Sequence, residues 1–98
     1  MAILGYKNNA TRDIAEAINS KQARRLLPLT LHKSARRIIA ALANIRSLND
    51  LKIFTGWKLE ALKRQRSGQY SLRINIQYRI CFLWDDRDVC DLEIIDYH

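Results

Sequence analysis

The chain is poor in the residues that break or staple a backbone. Three glycines and one proline in 98 residues leave few forced turns, and no repeat or low-complexity segment appears. Two cysteines are too few for a disulfide framework and fit a reducing compartment. No apolar run approaches the ~20 residues of a membrane helix, and Met1 to Lys7 lacks the charged leader and apolar stretch of a secretory signal. The sequence therefore reads as that of a cytosolic protein. Cys-x-x-Cys and His-Glu-x-x-His are missing, as are glycine-rich phosphate loops, nucleophile elbows and dense carboxylate clusters. Asp85, Asp86 and Asp88 lack the glycine and terminal glutamate of a calcium loop. These patterns imply neither a metal nor a small-molecule cofactor.

What is present suits one small globular domain over residues 1–98, with 48% hydrophobic and 28% charged residues. Seventeen Lys and Arg against ten Asp and Glu give a net charge of +7. Such a field attracts polyanions and speeds encounter with them. A plain basic domain and a domain matched by an acidic protein partner are the other readings of that charge.

Apolar spacing orders the chain. Ile3 to Lys7 reads as a short first strand, and Asn8 to Thr11 as a turn offering capping side chains. Ile14, Ala17 and Ile18 recur at helical spacing within Thr11 to Asn19, and Pro28 suits the first turn of a second helix. Leu31, Ala35, Ile38, Leu42 and Ile45 give that helix one apolar stripe. Lys33, Arg36 and Arg37 fall off it, as a solvated face or a contact surface, and His32 reads as a surface residue. Ser47 to Asp50 ends the helix, and Leu51 to Gly56 reads as irregular.

From Lys58 the period becomes two. Tyr70, Leu72 and Ile74 alternate with Ser71, Arg73 and Asn75, and Ile80, Phe82 and Trp84 with Arg79, Cys81 and Leu83. Leu92 and Ile94 alternate with Asp91, Glu93 and Ile95, so antiparallel strands lay one face on a core. A three-residue loop within Asp85 to Asp88 would set Phe82 opposite Leu92 and Trp84 opposite Cys90. Cys90 then faces the core, Cys81 faces away, and the two do not pair. The expected fold is α+β, with two N-terminal helices packed on a curved antiparallel β-sheet.

Chemistry gathers in the C-terminal half. Lys58, Lys63, Arg64, Arg66, Arg73 and Arg79 interleave with Tyr70 and Tyr78. Cations neutralise phosphates and aromatic faces stack unpaired bases, a combination suited to single-stranded RNA. Alternatively, Arg73 and Arg79 pair across strands with Asp91 and Glu93, a contribution of about 0–1 kcal/mol. The strand-like run Val89 to Ile95 leads into Asp96, Tyr97 and His98, three groups able to hold or move protons. An imidazole can give a proton to a leaving 5′-oxygen or take one from a 2′-hydroxyl. Catalysis, if present, is metal-free acid/base work with electrostatic stabilisation at phosphorus.

Four segments carry a family resemblance: Lys58-Leu59-Glu60-Ala61-Leu62-Lys63, Arg66 to Asn75, Gln77-Tyr78-Arg79-Ile80-Cys81-Phe82, and Glu93-Ile94-Ile95-Asp96-Tyr97-His98. Over about residues 58–98 the chain resembles HigB toxins, the plasmid maintenance killer branch of the RelE/ParE superfamily, and the helical half fits in length and order. The resemblance implies a RelE-like microbial RNase fold and a bacterial cytoplasmic toxin that enters the ribosomal A site and cleaves translated mRNA. It also implies a helix-turn-helix antitoxin, HigA, which neutralises the toxin and represses the shared operon. By position, Arg79 would hold the scissile phosphate and Lys63 would stabilise charge. Tyr97 and His98 match terminal active-site residues, with Asp96 the acid beside them. Arg73 has a counterpart only in a closer subgroup.

Two departures stand out. Some members carry a catalytic histidine where this chain has Glu60, which would act as a general base or form a salt bridge. Many read Leu-x-Gly where this chain has Lys63-Arg64, so the turn loses a permissive residue and gains a cation. The competing readings are a ParE-like toxin that inhibits a protein such as gyrase, and a binding domain without activity. The terminal proton-transfer groups favour the nuclease, since a binding-only toxin has no need of them.

Overall fold

A computed structural model describes residues 3–97 and lays helices on one face of an antiparallel sheet, the α+β arrangement expected. Three α-helices occupy the N-terminal half: α1 (Asn9–Ala15), α2 (Lys21–Leu26) and α3 (His32–Leu42). The two expected helices are α1 and α3. The third, α2, was not anticipated. Of its six residues Ala23 is buried and Leu26 half-buried, too few to print an apolar period on the sequence.

Local chemistry sets the helix ends. Asn8 Oδ1 accepts from the Thr11 amide at 2.8 Å, a cap that contributes about 1 kcal/mol. The helix stops at Ala15 rather than Asn19, and Ala17 turns the chain at a φ of 61°. Asp13 then accepts from Ser20 Oγ at 2.7 Å and Gln22 Nε2 at 2.8 Å, pinning the start of α2 to α1. Ser20 Oγ itself accepts from the Ala23 amide at 3.1 Å. The expected stripe of α3 is present, with Ala35, Ile38, Leu42 and Ile45 all buried.

His32 is not the surface residue expected from its place at the helix start. It is 3% exposed, and its Nε2 lies 2.7 Å from the Leu27 carbonyl. A carbonyl only accepts, so Nε2 carries the proton; the ring satisfies a carbonyl stranded between α2 and α3. The segment expected to be irregular winds into two 3₁₀ turns, Leu48–Ile53 and Thr55–Trp57.

Among the described residues four strands, β1 (Glu60–Ala61), β2 (Gln69–Arg73), β3 (Tyr78–Trp84) and β4 (Val89–Asp96), pair in sequence order. The period-two reading of β2 and β3 holds, with Leu72, Ile80 and Phe82 in the core. The β3–β4 hairpin departs from expectation. Asp85 Oδ1 accepts from the amides of Arg87 and Asp88 at 3.0 and 2.6 Å, closing a four-residue loop that pairs Trp84 with Val89. The ladder then reads Leu83 with Cys90 and Cys81 with Glu93, so β4 carries one extra residue between them. Asp91, at a φ of 50°, takes up that bulge.

The bulge brings Val89 and Leu92, three residues apart, onto the same inner face. Cys90, expected inside, therefore shares the outer face with its partner Leu83 and is half-buried. Cys81 faces outward as expected, though other side chains bury it, and both thiols are free. The bulge also breaks up the expected first strand. Ile3 to Lys7 runs parallel to β4 but bridges it at two isolated points, Ile3 with Val89 and Tyr6 with Leu92. Thr11 Oγ1 accepts from the Ile94 amide at 3.3 Å and ties α1 to the same strand.

Candidate functional site

The helices cover the inner face of the sheet, so chemistry falls to the outer face. There one cross-strand row runs Glu60, Ser71, Cys81, Glu93, and the next runs Arg73, Arg79, Ile95. Alternation along β2 and β3 fixes which side chains point outward.

Arg79 is held on three sides. Its Nη1 donates to Ser71 Oγ at 2.8 Å and lies 3.3 Å from Glu60 Oε1. The guanidinium carbon sits 4.9 Å from the centre of the Tyr97 ring, within cation–π range. The expected alternative, ion pairing of Arg73 and Arg79 with Asp91 and Glu93, is not what forms. Glu93 lies 3.5 Å from Arg66 Nη1, and Asp91 stands exposed in the bulge. Arg73 donates from Nε to the Asn75 carbonyl at 3.2 Å. It also stands directly across the ladder from Arg79, a like-charge pairing that costs free energy unless an anion lies near.

Backbone bonding places Tyr97. Its amide donates to the Gln77 carbonyl, and Gln77 Nε2 donates to Asp96 Oδ2 at 3.2 Å. Asn75 Oδ1 accepts from the amides of Gln77 and Tyr78 at 2.9 and 2.8 Å, which folds the β2–β3 turn into the shape that grips the end of β4. His98 lies outside the described residues.

Beside Arg79 opens a hollow of about 370 Å³ lined by Glu60, Leu62, Lys63, Arg66 and Tyr97 among others. An adjoining concavity of about 450 Å³ is formed by Lys63, Arg64, Gln65 and Arg66. The β1–β2 connection therefore forms a cationic lip along the site. Arg64 in that lip has a φ of 60°, the left-handed conformation expected where glycine would be at ease. Arg66 reaches back over the sheet, 3.0 Å from Gln69 Oε1 on β2 as well as to Glu93 on β4. Cys81 lies in the row between them. Burial pushes its thiol up, with Arg66 opposing, so it is a packed neutral group rather than a nucleophile.

Glu60, Lys63, Arg66, Arg79 and Tyr97 thus come together, with Arg64 and Arg73 alongside. Lys58 sits apart from the hollow's lining, exposed at a φ of 48° after the Thr55–Trp57 turn. Tyr70 and Tyr78 are not the free stacking platforms expected. Their positions alternate with Ser71 and Arg79, so they pack on the core side, and the Tyr70 ring lies 6.1 Å from that of Phe82. Sequence reasoning missed Ser71 as the partner of Arg79, Glu93 as that of Arg66, and Gln77 as the residue that positions Tyr97. A register for β2 and β3 would have found Ser71; the other two depend on the bulge and the turn. A separate hollow of about 180 Å³, between the Ala17–Asn19 turn and the start of α3, holds none of these groups.

The family described as RelE-like toxin of type II toxin-antitoxin system HigB matches residues 7–98. Toxin HigB-1 of Vibrio cholerae serotype O1 (strain ATCC 39315 / El Tor Inaba N16961) is 34% identical over 62 residues, which cover 63% of this chain and 65% of that protein. The match thus spans just under two thirds of that relative's length. Because the family match takes in both the helical layer and the whole sheet, the chain belongs to the HigB-like toxin family of type II toxin–antitoxin systems.

Proposed function

We propose that this toxin is a ribosome-dependent mRNA endoribonuclease that inhibits translation by metal-free acid/base chemistry. The observation that carries the reading is Arg79, fixed by Ser71, Glu60 and Tyr97, the last two of which line an open hollow together with Lys63 and Arg66. A cation held this rigidly, yet reachable from a cationic groove, suits a phosphodiester whose charge grows in the transition state.

In this mechanism Arg79 holds the non-bridging oxygens of the scissile phosphate, and Lys63 adds a second positive charge. Attack by the 2′-oxygen forms the new O–P bond while the bond to the 5′-oxygen breaks. Glu60, released from Arg79 by the arriving phosphate, is placed to take the 2′-hydroxyl proton. Tyr97 and His98 are the groups that return a proton to the leaving 5′-oxygen, with Asp96 beside them. Lys58, Arg64, Arg66 and Arg73 bind the flanking strand by neutralising its phosphates. Among the described residues no helix is long and apolar enough to cross a membrane. The working compartment we assign is the bacterial cytoplasm, where ribosomes and mRNA are found. The matching partner is a HigA-like helix-turn-helix antitoxin whose acidic or helical segment covers part of this basic surface.

The test is a defined mRNA incubated with the purified toxin, with and without purified ribosomes. Cleavage that requires ribosomes supports the proposal. Intact mRNA under both conditions, from a toxin that still arrests growth, would instead favour inhibition of a protein target such as gyrase.

A further inference from the structure

Glu60 occupies the place a substrate phosphate must take. Given the proposed RNA cleavage, on which this inference rests, Arg79 receives the phosphate through the guanidinium edge it now presents to Ser71 and Glu60, at 2.8 and 3.3 Å. Ser71 is fully buried in β2 and cannot withdraw. Tyr97 covers the guanidinium face at 4.9 Å. Glu60 is different. Its side chain is 51% exposed, it lines the hollow, and it sits on a two-residue edge strand. Of the two groups on the guanidinium edge, Ser71 and Glu60, only Glu60 can move off Arg79 without unpacking the sheet.

The second arginine of the site repeats the arrangement. Arg66 is 3.5 Å from Glu93, and Glu93 ends the row that Glu60 begins. Arg66 on the hollow's lining and Arg79 beside it are each drawn toward a carboxylate of the protein itself. Glu93 is the less exposed of the two, at 19%, so it serves as a fixed partner while Glu60 is the displaceable one.

We infer that Glu60 is a built-in competitor for the phosphate site, and that RNA engages Arg79 by exchanging one of its phosphates for the Glu60 carboxylate. No covalent bond changes in this step; one anion replaces another on the guanidinium. A free strand must then compete with a tethered carboxylate and binds weakly. A strand already positioned by other contacts delivers its phosphate at high effective concentration and wins the exchange. Glu60 thereby sets a threshold that disfavours loose RNA and favours a presented strand.

The experiment measures binding of a short, fully 2′-O-methylated single-stranded RNA, which cannot be cleaved, by fluorescence anisotropy at fixed salt. The proteins are wild type, Glu60→Gln, Arg79→Gln, the double variant, and Glu16→Gln just past the end of α1 as a control for net charge. Glu60→Gln is expected to tighten binding about two- to fivefold, the range a half-exposed ion pair supplies. In the Arg79→Gln background the same change should shrink to the small effect of Glu16→Gln. Glu60→Ala must shift affinity in the same direction. With ribosomes and cleavable mRNA, Glu60→Gln should lower KM while also lowering kcat, a split that a structural role does not produce. Unchanged or weakened binding by Glu60→Gln would overturn the inference. So would a tightening that persists in full without Arg79, since that marks a general charge effect. If none of the folded proteins binds the RNA, Glu60→Gln included, this inference falls, while the nuclease reading is decided separately by the ribosome cleavage assay.

Discussion

At the scale of single residues, the account turns on Arg79 and the ring above it. Arg79→Ala removes the group that holds the phosphate and should cost about 10²–10³ in cleavage rate. It also removes a half-exposed ion pair, worth about 0–1 kcal/mol, and the hydrogen bond to buried Ser71, worth about 1 kcal/mol, so the melting temperature should fall by about 5–10 °C. A much larger drop in melting temperature with proportionate loss of activity would make Arg79 a structural residue. Tyr97→Phe separates the two jobs the tyrosine can do. The phenyl ring still covers the guanidinium, so stacking on Arg79 survives and only the hydroxyl is lost. If Tyr97 moves a proton, activity falls by about 10²-fold or more. Full activity in Tyr97→Phe would reduce it to a lid over the arginine.

At the scale of elements, two junctions make separate predictions. The β1–β2 lip holds Arg64 at a φ of 60°, a conformation that costs a side-chain-bearing residue about 1–2 kcal/mol. Arg64→Gly should therefore stabilise the fold by about 0.5–1 kcal/mol after the added freedom of the unfolded chain is counted, while weakening RNA binding through the lost cation. The α1–α2 junction makes its prediction through pH. Hydrogen bonds from Ser20 and then Gln22 hold the Asp13 carboxyl below its ordinary value of 3.8. A depressed folded value means the unfolded state binds the proton more readily. The stabilisation is thus present above about pH 4 and is lost as pH falls through the lower folded value. Melting curves from pH 6 downward should show Asp13→Asn flattening that acid limb; an unchanged limb would mean the junction contributes nothing to acid stability.

The same elements show what a sequence reveals. The α3 stripe and the alternation in β2 and β3 were legible because burial repeats at fixed spacing there. The short helix α2 was not, since it buries almost nothing, and the bulge at Asp91 was not, since no glycine marks it. One missed bulge moved Cys90 to the other face and removed Asp91 as a partner for the arginines. The site was legible in its residue types more than in its pairings. Lys63, Arg66, Arg79 and Tyr97 were named and are gathered, whereas Tyr70 and Tyr78 were read as base platforms and lie on the core side. Which cation meets which carboxylate depends on register, and register is not written in composition.

At the scale of the whole molecule, charge and partner come together. A net charge of +7 over 98 residues makes association with RNA steeply dependent on salt. The six cations assigned to phosphates, Lys58, Lys63, Arg64, Arg66, Arg73 and Arg79, predict that log affinity for single-stranded RNA falls with log salt at a slope of about −4. A slope near zero would mean the basic surface serves some other partner. An antitoxin that covers the lip should abolish this RNA binding when co-purified with the toxin. The most direct measurement is primer extension on cellular mRNA after induction of wild-type toxin and of Arg79→Ala at equal protein levels. The account predicts new 5′ ends within translated coding regions for the wild type and their disappearance in Arg79→Ala. Growth arrest with intact transcripts, or the same new ends in both strains, would contradict it.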